Sequence, residues 1–180
     1  MREKHMTEKA LQEFLDYKAI IELKARFVET VDAKDWDGYR NVFTPDTGRF
    51  DFGGDFFVTG GDAFVEAVAG QLEGAVSVHR AFLPQITFDS ETEARGTWAV
   101  NDYIEWASDP ETGERRGHQG FGYEYESYTK VEGAWKISAW RVHYIRMDPL
   151  PRAPLPDSFL GGPDVLRDES YVSAVTEKPY

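Results

Sequence analysis

Residues 76–88 read VSVHRAFLPQITF, residues 89–94 read DSETEA, and residues 95–106 read RGTWAVNDYIEW. The outer segments alternate and the middle one is polar and turn-like, so together they predict a hairpin of two long strands. In the second strand Asp102 shares a face with an apolar row: Trp98, Val100, Ile104 and Trp106. In the first strand His79 falls in a row with Ser77, Ala81, Leu83 and Gln85. An ionisable side chain in an apolar row must be paired, solvated in a cavity or shifted in pKa, and this conflict indicates a functional pocket.

The composition limits what the chain can be and what it can bind. Its 180 residues fit one domain with a core, and the absence of cysteine excludes disulfides, thiolate nucleophiles and cysteine metal sites. The formal net charge of -12 argues against nucleic acid and anionic membranes as partners. No apolar run approaches the ~20 residues that span a bilayer, and the charged N-terminus MREKHMTEKA has no apolar signal core. We therefore expect a cytoplasmic protein.

Three helices are predicted before the long strands. Apolar residues recur every three or four positions from about Glu8 to Val31 or Asp32, with Thr7 as the N-cap, and residues 1–7 are expected to fray. A second, short helix follows with Asp35 as its cap. Two short strands are then expected within RFDFGGDFFVTG (49–60), before a third helix over about 62–73 that ends at Gly74.

Four long strands complete the predicted domain, at about 76–88, 94–107, 116–130 and 134–147. This order predicts an α+β fold, a cone-shaped α+β barrel in which three N-terminal helices pack on a strongly curved, mainly antiparallel sheet. Its open end would form a small-molecule site. We expect a single domain over 8–147. A Pro/Gly-rich C-terminal extension over 148–180 would follow, with a short helix near 163–168, packing on the barrel or on a neighbouring subunit through its apolar residues, Leu150, Leu155, Phe159 and Leu160.

Three segments carry a resemblance to a known family: IIELKARFVETVDAKDWDGYRNVFTPD (20–46), VHRAFLPQITF (78–88) and GYEYESYTKVEGAWKISAWRV (122–142). They resemble the SnoaL-like family of the nuclear-transport-factor-2-like superfamily over most of residues 18–147. Within the superfamily the chain is similar to scytalone dehydratase, bile-acid dehydratase and lindane dehydrochlorinase. The resemblance implies a cofactor-independent enzyme with a small-molecule substrate, assembled as a homodimer or homotrimer.

The resemblance also implies site residues. Asp32, at the end of the first helix, would hold His79 as a general base, and Asp102 would be a second acidic residue of the site. An arginine of the last strand would fall near Arg141 and contact the substrate or the leaving group. The position five residues before the aspartate, a tyrosine or lysine in some of these lyases, is Phe27 here, which is expected to line the pocket and bind the substrate. An Asp–His pair suits elimination, because the carboxylate orients one ring nitrogen and raises the basicity of the other.

The proton donor is left open by the sequence. Asp102, if kept protonated in its apolar row, is one candidate. Tyr123 and Tyr125 share a strand face, are predicted to line the pocket as Trp98 does, and are the other candidates. Simpler roles compete with these: Asp32 as a helix-end turn residue, Asp102 as an arginine partner, the aromatics as core, and Arg141 in an interfacial salt bridge.

Other chemistry has little support in the sequence. His118 and His143 are interpreted as structural or exposed, and the four histidines lack metal-ligand spacing. No motif for a nucleotide, metal or serine nucleophile is visible, so no cofactor or metal is expected. The glycines of GHQGFGYE (117–124) are expected at bends or at a close approach of the backbone.

The predicted function is a dehydratase-type lyase, or a related aldehyde-releasing cleavage, on a small hydroxylated cyclic or aromatic compound. An isomerase of a cyclic ketone needs nearly the same base and is the nearest alternative. A non-catalytic alternative is a small-molecule carrier or an accessory subunit of a ring-hydroxylating dioxygenase.

Overall fold

The computed structural model of the chain describes the backbone of residues 2–152 and the side chains of residues 8–152. This part of the chain forms three helices and six strands. The helices are α1 (Arg2–Ala33), α2 (Trp36–Arg40) and α3 (Gly61–Gln71). The strands are β1 (Arg49–Asp51), β2 (Phe57–Thr59), β3 (Val76–Phe88), β4 (Glu93–Trp106), β5 (Arg116–Val131) and β6 (Ala134–Pro149).

Most element boundaries agree with the alternation and capping signals in the sequence. The four long strands end within two residues of their predicted limits. The cap of α2 is also as predicted, because the Asp35 carboxylate accepts a hydrogen bond from the Gly38 N–H at 2.9 Å. The start of α1 differs: the helix begins at Arg2 rather than near Glu8, so Thr7 lies inside the helix and is not its N-cap, and the prediction of fraying is wrong for residues 2–7.

A single mixed sheet contains all six strands, in the order β2-β1-β6-β5-β4-β3. Strands β3 to β6 form an antiparallel meander, whereas β1 runs parallel to β6. Helix α1 contacts both β3, at the sheet edge, and β6, three strands away. One helix reaches both strands only if the sheet curves around it. The predicted α+β fold, with helices on a curved and mainly antiparallel sheet, is therefore confirmed.

Alternation in β4 holds as predicted, but β3 contains an irregularity that was not predicted. Trp98, Asp102 and Ile104 are all buried on the inner face of β4. In β3 the register with β4 shifts between Phe82 and Gln85, and Leu83 adopts a positive φ of 48°. A bulge of this kind reverses the faces of all later residues. Leu83 is consequently exposed, and the prediction that it shares the face of His79 is wrong.

The core fills the space between the helices and the concave face of the sheet. Its centre is a cluster of aromatic rings whose centroids lie 4.9–6.1 Å apart, mostly edge to face. The cluster consists of Phe27, Tyr39, Phe43, Phe50, Phe64 and Trp140. Because these rings come from α1, α2, α3, β1 and β6, they fix the helices against one end of the sheet.

The final strand is longer than predicted and leads into the start of the C-terminal extension. Strand β6 continues to Pro149, and Leu150 is buried with its N–H donating to the Gly117 carbonyl at 3.0 Å. The Arg115 N–H donates to the Arg152 carbonyl at 3.1 Å. The predicted roles of Leu155, Phe159 and Leu160, and the short helix near 163–168, lie outside the described residues.

Candidate active site

A cavity of about 550 Å³ lies between the helices and the concave face of the sheet. Its volume is within the range of small-molecule sites. The walls are mainly apolar, and the polar groups are few. Apolar lining residues include Phe27, Val31, Phe64, Leu72, Ile104, Trp140, Val142 and Met147. The ionisable or hydroxyl-bearing lining residues are Tyr39, His79, Asp102, His118, Glu124 and Tyr144.

Asp32 and His79 are brought together as predicted. Asp32 lies in the last turn of α1, and its carboxylate accepts from His79 Nδ1 at 2.7 Å and from the His79 backbone N–H at 2.8 Å. The Ser77 hydroxyl donates to the same carboxylate at 3.0 Å. Because an ionised carboxylate can only accept, Nδ1 carries the proton in this hydrogen bond, and in the neutral ring the lone pair belongs to Nε2; the ring lines the cavity.

Two cations lie close to the Asp32–His79 pair. The Arg80 guanidinium lies 3.7 Å from the Asp32 carboxylate. Lys34 Nζ donates to the Ser77 hydroxyl at 2.5 Å, and burial lowers the pKa of Lys34 although Asp32 opposes that shift. The backbone of Lys34 has a positive φ of 59°, which separates α1 from α2 and orients the Lys34 side chain toward β3. The pair is therefore held by groups from α1 and β3.

Asp102 occupies the neighbouring strand, paired in register with His79, and is 5% exposed. Its Oδ1 accepts from the Gly120 N–H at 2.9 Å, and its Oδ2 accepts from the Tyr144 hydroxyl. Burial, and then the charge of Asp102, raise the pKa of Tyr144. His118 Nε2 lies 3.8 Å from Asp102 Oδ1.

Glycine is required at position 120 for this contact. A Cβ atom there would lie 2.4 Å from Asp102 Oδ1 and 2.5 Å from Tyr144 Cε1. The backbone N–H therefore reaches the carboxylate only because residue 120 has no side chain. The prediction that a glycine in GHQGFGYE marks a close backbone approach is confirmed.

A buried charge cluster borders the cavity next to Asp102. Lys24 Nζ donates to the carboxylates of Glu124 and, at 2.6 Å, Glu126, and all three side chains are at most 8% exposed. Glu126 also accepts from the Tyr128 hydroxyl, which in turn accepts from Trp98 Nε1 at 2.8 Å. Burial raises the pKa of Glu126, with Lys24 opposing and Glu124 adding to that shift. Burial alone lowers the pKa of Lys24, but the two carboxylates outweigh it and the net direction is upward.

Four predicted binding residues lie elsewhere. Tyr123, Tyr125 and Arg141 are exposed on the outer face of the sheet and do not line the cavity, so the prediction that the two tyrosines form its wall is wrong. Trp98 is 3% exposed and belongs to the core, where it bonds Tyr128. Phe27 lines the cavity as predicted.

Several residues in or beside the cavity were not predicted: the lining residues Glu124 and Tyr144 and the neighbouring Lys24 were not considered, and His118 was interpreted as structural or exposed. Lys24 carried a usable signal, since it interrupts the apolar row of Ile20, Phe27 and Val31 on α1.

One further polar group is notable. Trp140 lines the cavity, and its buried Nε1–H has no partner among the described residues.

Within residues 2–152, no group of three or more His, Asp or Glu side chains is placed to hold a metal ion. None of the helices in the same range combines the length and the apolar character that a membrane span needs.

The fold and the cavity define the class: an α+β protein of the nuclear-transport-factor-2-like or cystatin-like fold, with its pocket in the concave face of the sheet. The chain belongs to the family of the SnoaL-like domain, whose sequence profile matches residues 12–141.

Solved structures with this fold include enzymes and proteins without a known role. A protein of Novosphingobium aromaticivorans provisionally assigned as a scytalone dehydratase superposes with a TM-score of 0.69 at 20% identity, covering 83% of this chain and 97% of the other. A hexachlorocyclohexane dehydrochlorinase of Novosphingobium barchaimii gives 0.64 at 16% identity, with 82% and 98% coverage. A Mycobacterium tuberculosis protein of unknown function gives 0.63 at 22% identity, with 92% and 90% coverage. At these identities the likeness establishes the fold alone.

Proposed function

We propose that this protein is a cofactor-independent lyase acting on a small hydroxylated cyclic or aromatic compound. The reaction is elimination of water, or the related carbon–carbon cleavage that releases an aldehyde. The observation that carries this proposal is the Asp32–His79 contact of 2.7 Å, which leaves Nε2 of a cavity-lining histidine free to accept a proton.

In the proposed reaction His79 Nε2 removes a proton from the carbon next to the one that bears the hydroxyl group. The imidazolium that forms is stabilised by the Asp32 carboxylate, which is also bonded to the His79 backbone and to Ser77. The electron pair of the C–H bond becomes the new double bond, and the C–O bond breaks. The departing oxygen needs a proton or a hydrogen bond as its charge develops.

The cavity supports a compact and largely apolar substrate. Its walls come from rings and aliphatic side chains, which favour an apolar ring system by burial. The Trp140 N–H, which has no acceptor within residues 8–152, supports a substrate that carries an oxygen, because a ligand oxygen would satisfy this buried donor. The scytalone dehydratase and dehydrochlorinase assignments of two neighbours, both lyases, agree with elimination chemistry.

The test is a panel of hydroxylated cyclic and aromatic compounds incubated with wild-type protein, His79→Gln and His143→Gln, followed by mass spectrometry of the products. His143 is exposed on the outer face of the sheet, away from the cavity, and is the matched control; because it is paired with Tyr123, the solution mass of His143→Gln is measured beside that of wild type. We expect a product lighter by one water, or an aldehyde, from wild type and from the control. The rate with His79→Gln should fall about 10² to 10⁴-fold, or about 3 to 5 kcal/mol of transition-state stabilisation.

Two outcomes would contradict the proposal. Equal turnover by His79→Gln and wild type would exclude His79 as the general base. A product that has the mass of the substrate when formed in H₂O, and one mass unit more when formed in D₂O, would identify an isomerase of a cyclic ketone instead.

We also propose that the protein forms a homodimer or homotrimer. The outer face of the sheet exposes Phe121, Tyr123, Tyr125 and Ile145, each at least 38% accessible, and burying such a patch favours self-association. Sedimentation velocity should give a mass two or three times that of the 20.5 kDa chain. A monomer at all concentrations tested would reject this.

A further inference from the structure

A second imidazole lines the same cavity as His79. His118 lies on β5, two residues along from Gly120, and its ring packs against Trp106 with centroids 5.5 Å apart. The register joins His79 to Asp102 on β4 and Asp102 to Gly120 on β5. With strands about 4.8 Å apart and a rise of about 3.4 Å per residue, the α-carbons of the two histidines are roughly 12 Å apart. Their side chains can therefore approach a small ring from two sides.

Asp102 is poorly suited to donate a proton. Both of its oxygens are acceptors, Oδ1 of the Gly120 N–H and Oδ2 of the Tyr144 hydroxyl. Hydrogen bonds to the charged form of a carboxylate stabilise that form. Asp102 is therefore not the acid, as the sequence had led us to expect, but an acceptor.

The two tyrosines of the cavity are also poor proton donors. The single hydroxyl proton of Tyr144 is given to Asp102. Burial, and then the charges of Glu124 and Glu126, raise the pKa of Tyr39 well above its usual value. Either hydroxyl would lose its proton to a leaving group only at a high energetic cost.

We propose that His118 is the general acid of the reaction and that Asp102 positions it. This inference rests on the elimination chemistry proposed above. The 3.8 Å between His118 Nε2 and Asp102 Oδ1 is short enough for attraction between an imidazolium and a carboxylate, and too long for a hydrogen bond. A proton carried by Nε2 is therefore not bound by Asp102 and can reach a substrate oxygen. As the C–O bond breaks, that proton passes to the departing oxygen and forms water, while His79 holds the proton taken from carbon; solvent then returns both histidines to their starting states.

Benzisoxazoles test the acid and the base separately and do not require the natural substrate. Removal of the ring C–H proton by a base breaks the N–O bond and forms an ortho-cyanophenolate, whose oxygen then takes up a proton. A nitro substituent makes the phenolate a good leaving group that needs little acid. Rates with unsubstituted and nitro-substituted benzisoxazole should be measured for wild type, His79→Gln, His118→Gln and the His143→Gln control, with circular dichroism melts to verify folding.

We expect His118→Gln to lower kcat/KM for the unsubstituted compound about 10²-fold and for the nitro compound several-fold at most. An equal effect on both compounds, or none, would overturn the role of His118. His79→Gln should lower both rates strongly. If it lowers neither, the proposed base fails, and with it the proposed function, whatever His118→Gln does.

A structural measurement on the wild-type protein keeps the inference testable if His118→Gln does not fold. In a crystal soaked with ortho-cyanophenol, the product of the unsubstituted probe, the phenol oxygen should lie within about 3.2 Å of His118 Nε2. An oxygen bound instead to Tyr39, Tyr144 or His79 would overturn the assignment.

Discussion

Replacing Lys24 with methionine tests the buried charge cluster next to the cavity. Lys24 is 2% exposed at its side chain, and its ammonium group is shared by Glu124 and Glu126, which are 8% and 0% exposed. Methionine has a similar length but no charge, so the change leaves two buried carboxylates without their cation. Removing one member of a buried ion pair costs about 3 to 5 kcal/mol.

The cost of Lys24→Met should depend on pH, and its sign follows from Glu126. Burial already raises the pKa of Glu126 above its usual value of 4.5, and the loss of Lys24 removes the cation that opposes this shift. When the folded-state pKa of a carboxyl group is raised above its unfolded-state value, the folded protein holds the proton longer. The free energy of unfolding then decreases as the pH rises from the unfolded-state pKa to the folded-state pKa. Each proton held in the folded state but not in the unfolded state changes the unfolding free energy by about 1.4 kcal/mol per pH unit. The unfolding free energy of the variant should therefore fall by up to about 3 kcal/mol between pH 5 and pH 7, and its deficit should grow by the amount by which this fall exceeds that of wild type.

Urea unfolding at pH 5, 6 and 7, followed by tryptophan fluorescence, measures this deficit. Lys18→Met is the matched control, because Lys18 lies on the same helix and pairs with Glu22 at an exposed position. The control should change stability little at any of these pH values. A deficit for Lys24→Met that is the same at pH 5 and pH 7, or no larger than that of the control, would refute the argument.

Three further predictions concern the cavity itself. Asp32→Asn should lower the rate with the nitro-substituted benzisoxazole about 10² to 10⁴-fold, because the amide no longer stabilises the charged His79 ring. The melting temperature is measured alongside, and an unchanged rate would contradict the pairing. Gly120→Ala should lower the unfolding free energy by about 1 to 3 kcal/mol in urea titrations, since its Cβ would lie 2.4 Å from Asp102 Oδ1. Tyr144→Phe should cost about 1 to 3 kcal/mol in the same assay by leaving Asp102 Oδ2 without its donor, and full stability would show that this contact contributes nothing.

Alternation and capping predicted most of the fold. The long strands could be located because their apolar and polar residues alternate over 13 to 16 positions, and such runs leave few other solutions. The bulge after Phe82 was not predicted. Pro84 was its signal, because proline within a sheet is confined to edge strands and bulges, but it did not predict the positive φ that Leu83 adopts. The start of α1 was missed because residues 2–7 lack an apolar row.

The faces of β5 show where sequence alone becomes ambiguous. Residues 107–115 join β4 to β5, and a change of one residue in the pairing register exchanges the two faces of the strand. In the observed register Trp98 is paired with Glu124, so Glu124 points inward and its neighbours Tyr123 and Tyr125 point outward. The aromatic pair was predicted to lie inside because aromatic rows are usually core, and the inner face of this sheet is also the wall of the pocket. Lys24 reverses that preference, since it supplies the cation that lets Glu124 be buried.

The same kind of signal therefore marks two different features of this protein. Asp102 and Lys24 each interrupt an apolar row, one on a strand and one on a helix, and each is buried in the folded chain. The row predicts burial and a partner for both, but it does not predict what the partner does. Lys24 is saturated by two carboxylates, as a structural ion cluster would be. His118 Nε2 lies 3.8 Å from Asp102 in the cavity, which is too far for a hydrogen bond, so a substrate oxygen can bind there. The sequence alone cannot distinguish these two cases, because the partners of Lys24 and Asp102 are distant in the chain and only folding brings them close.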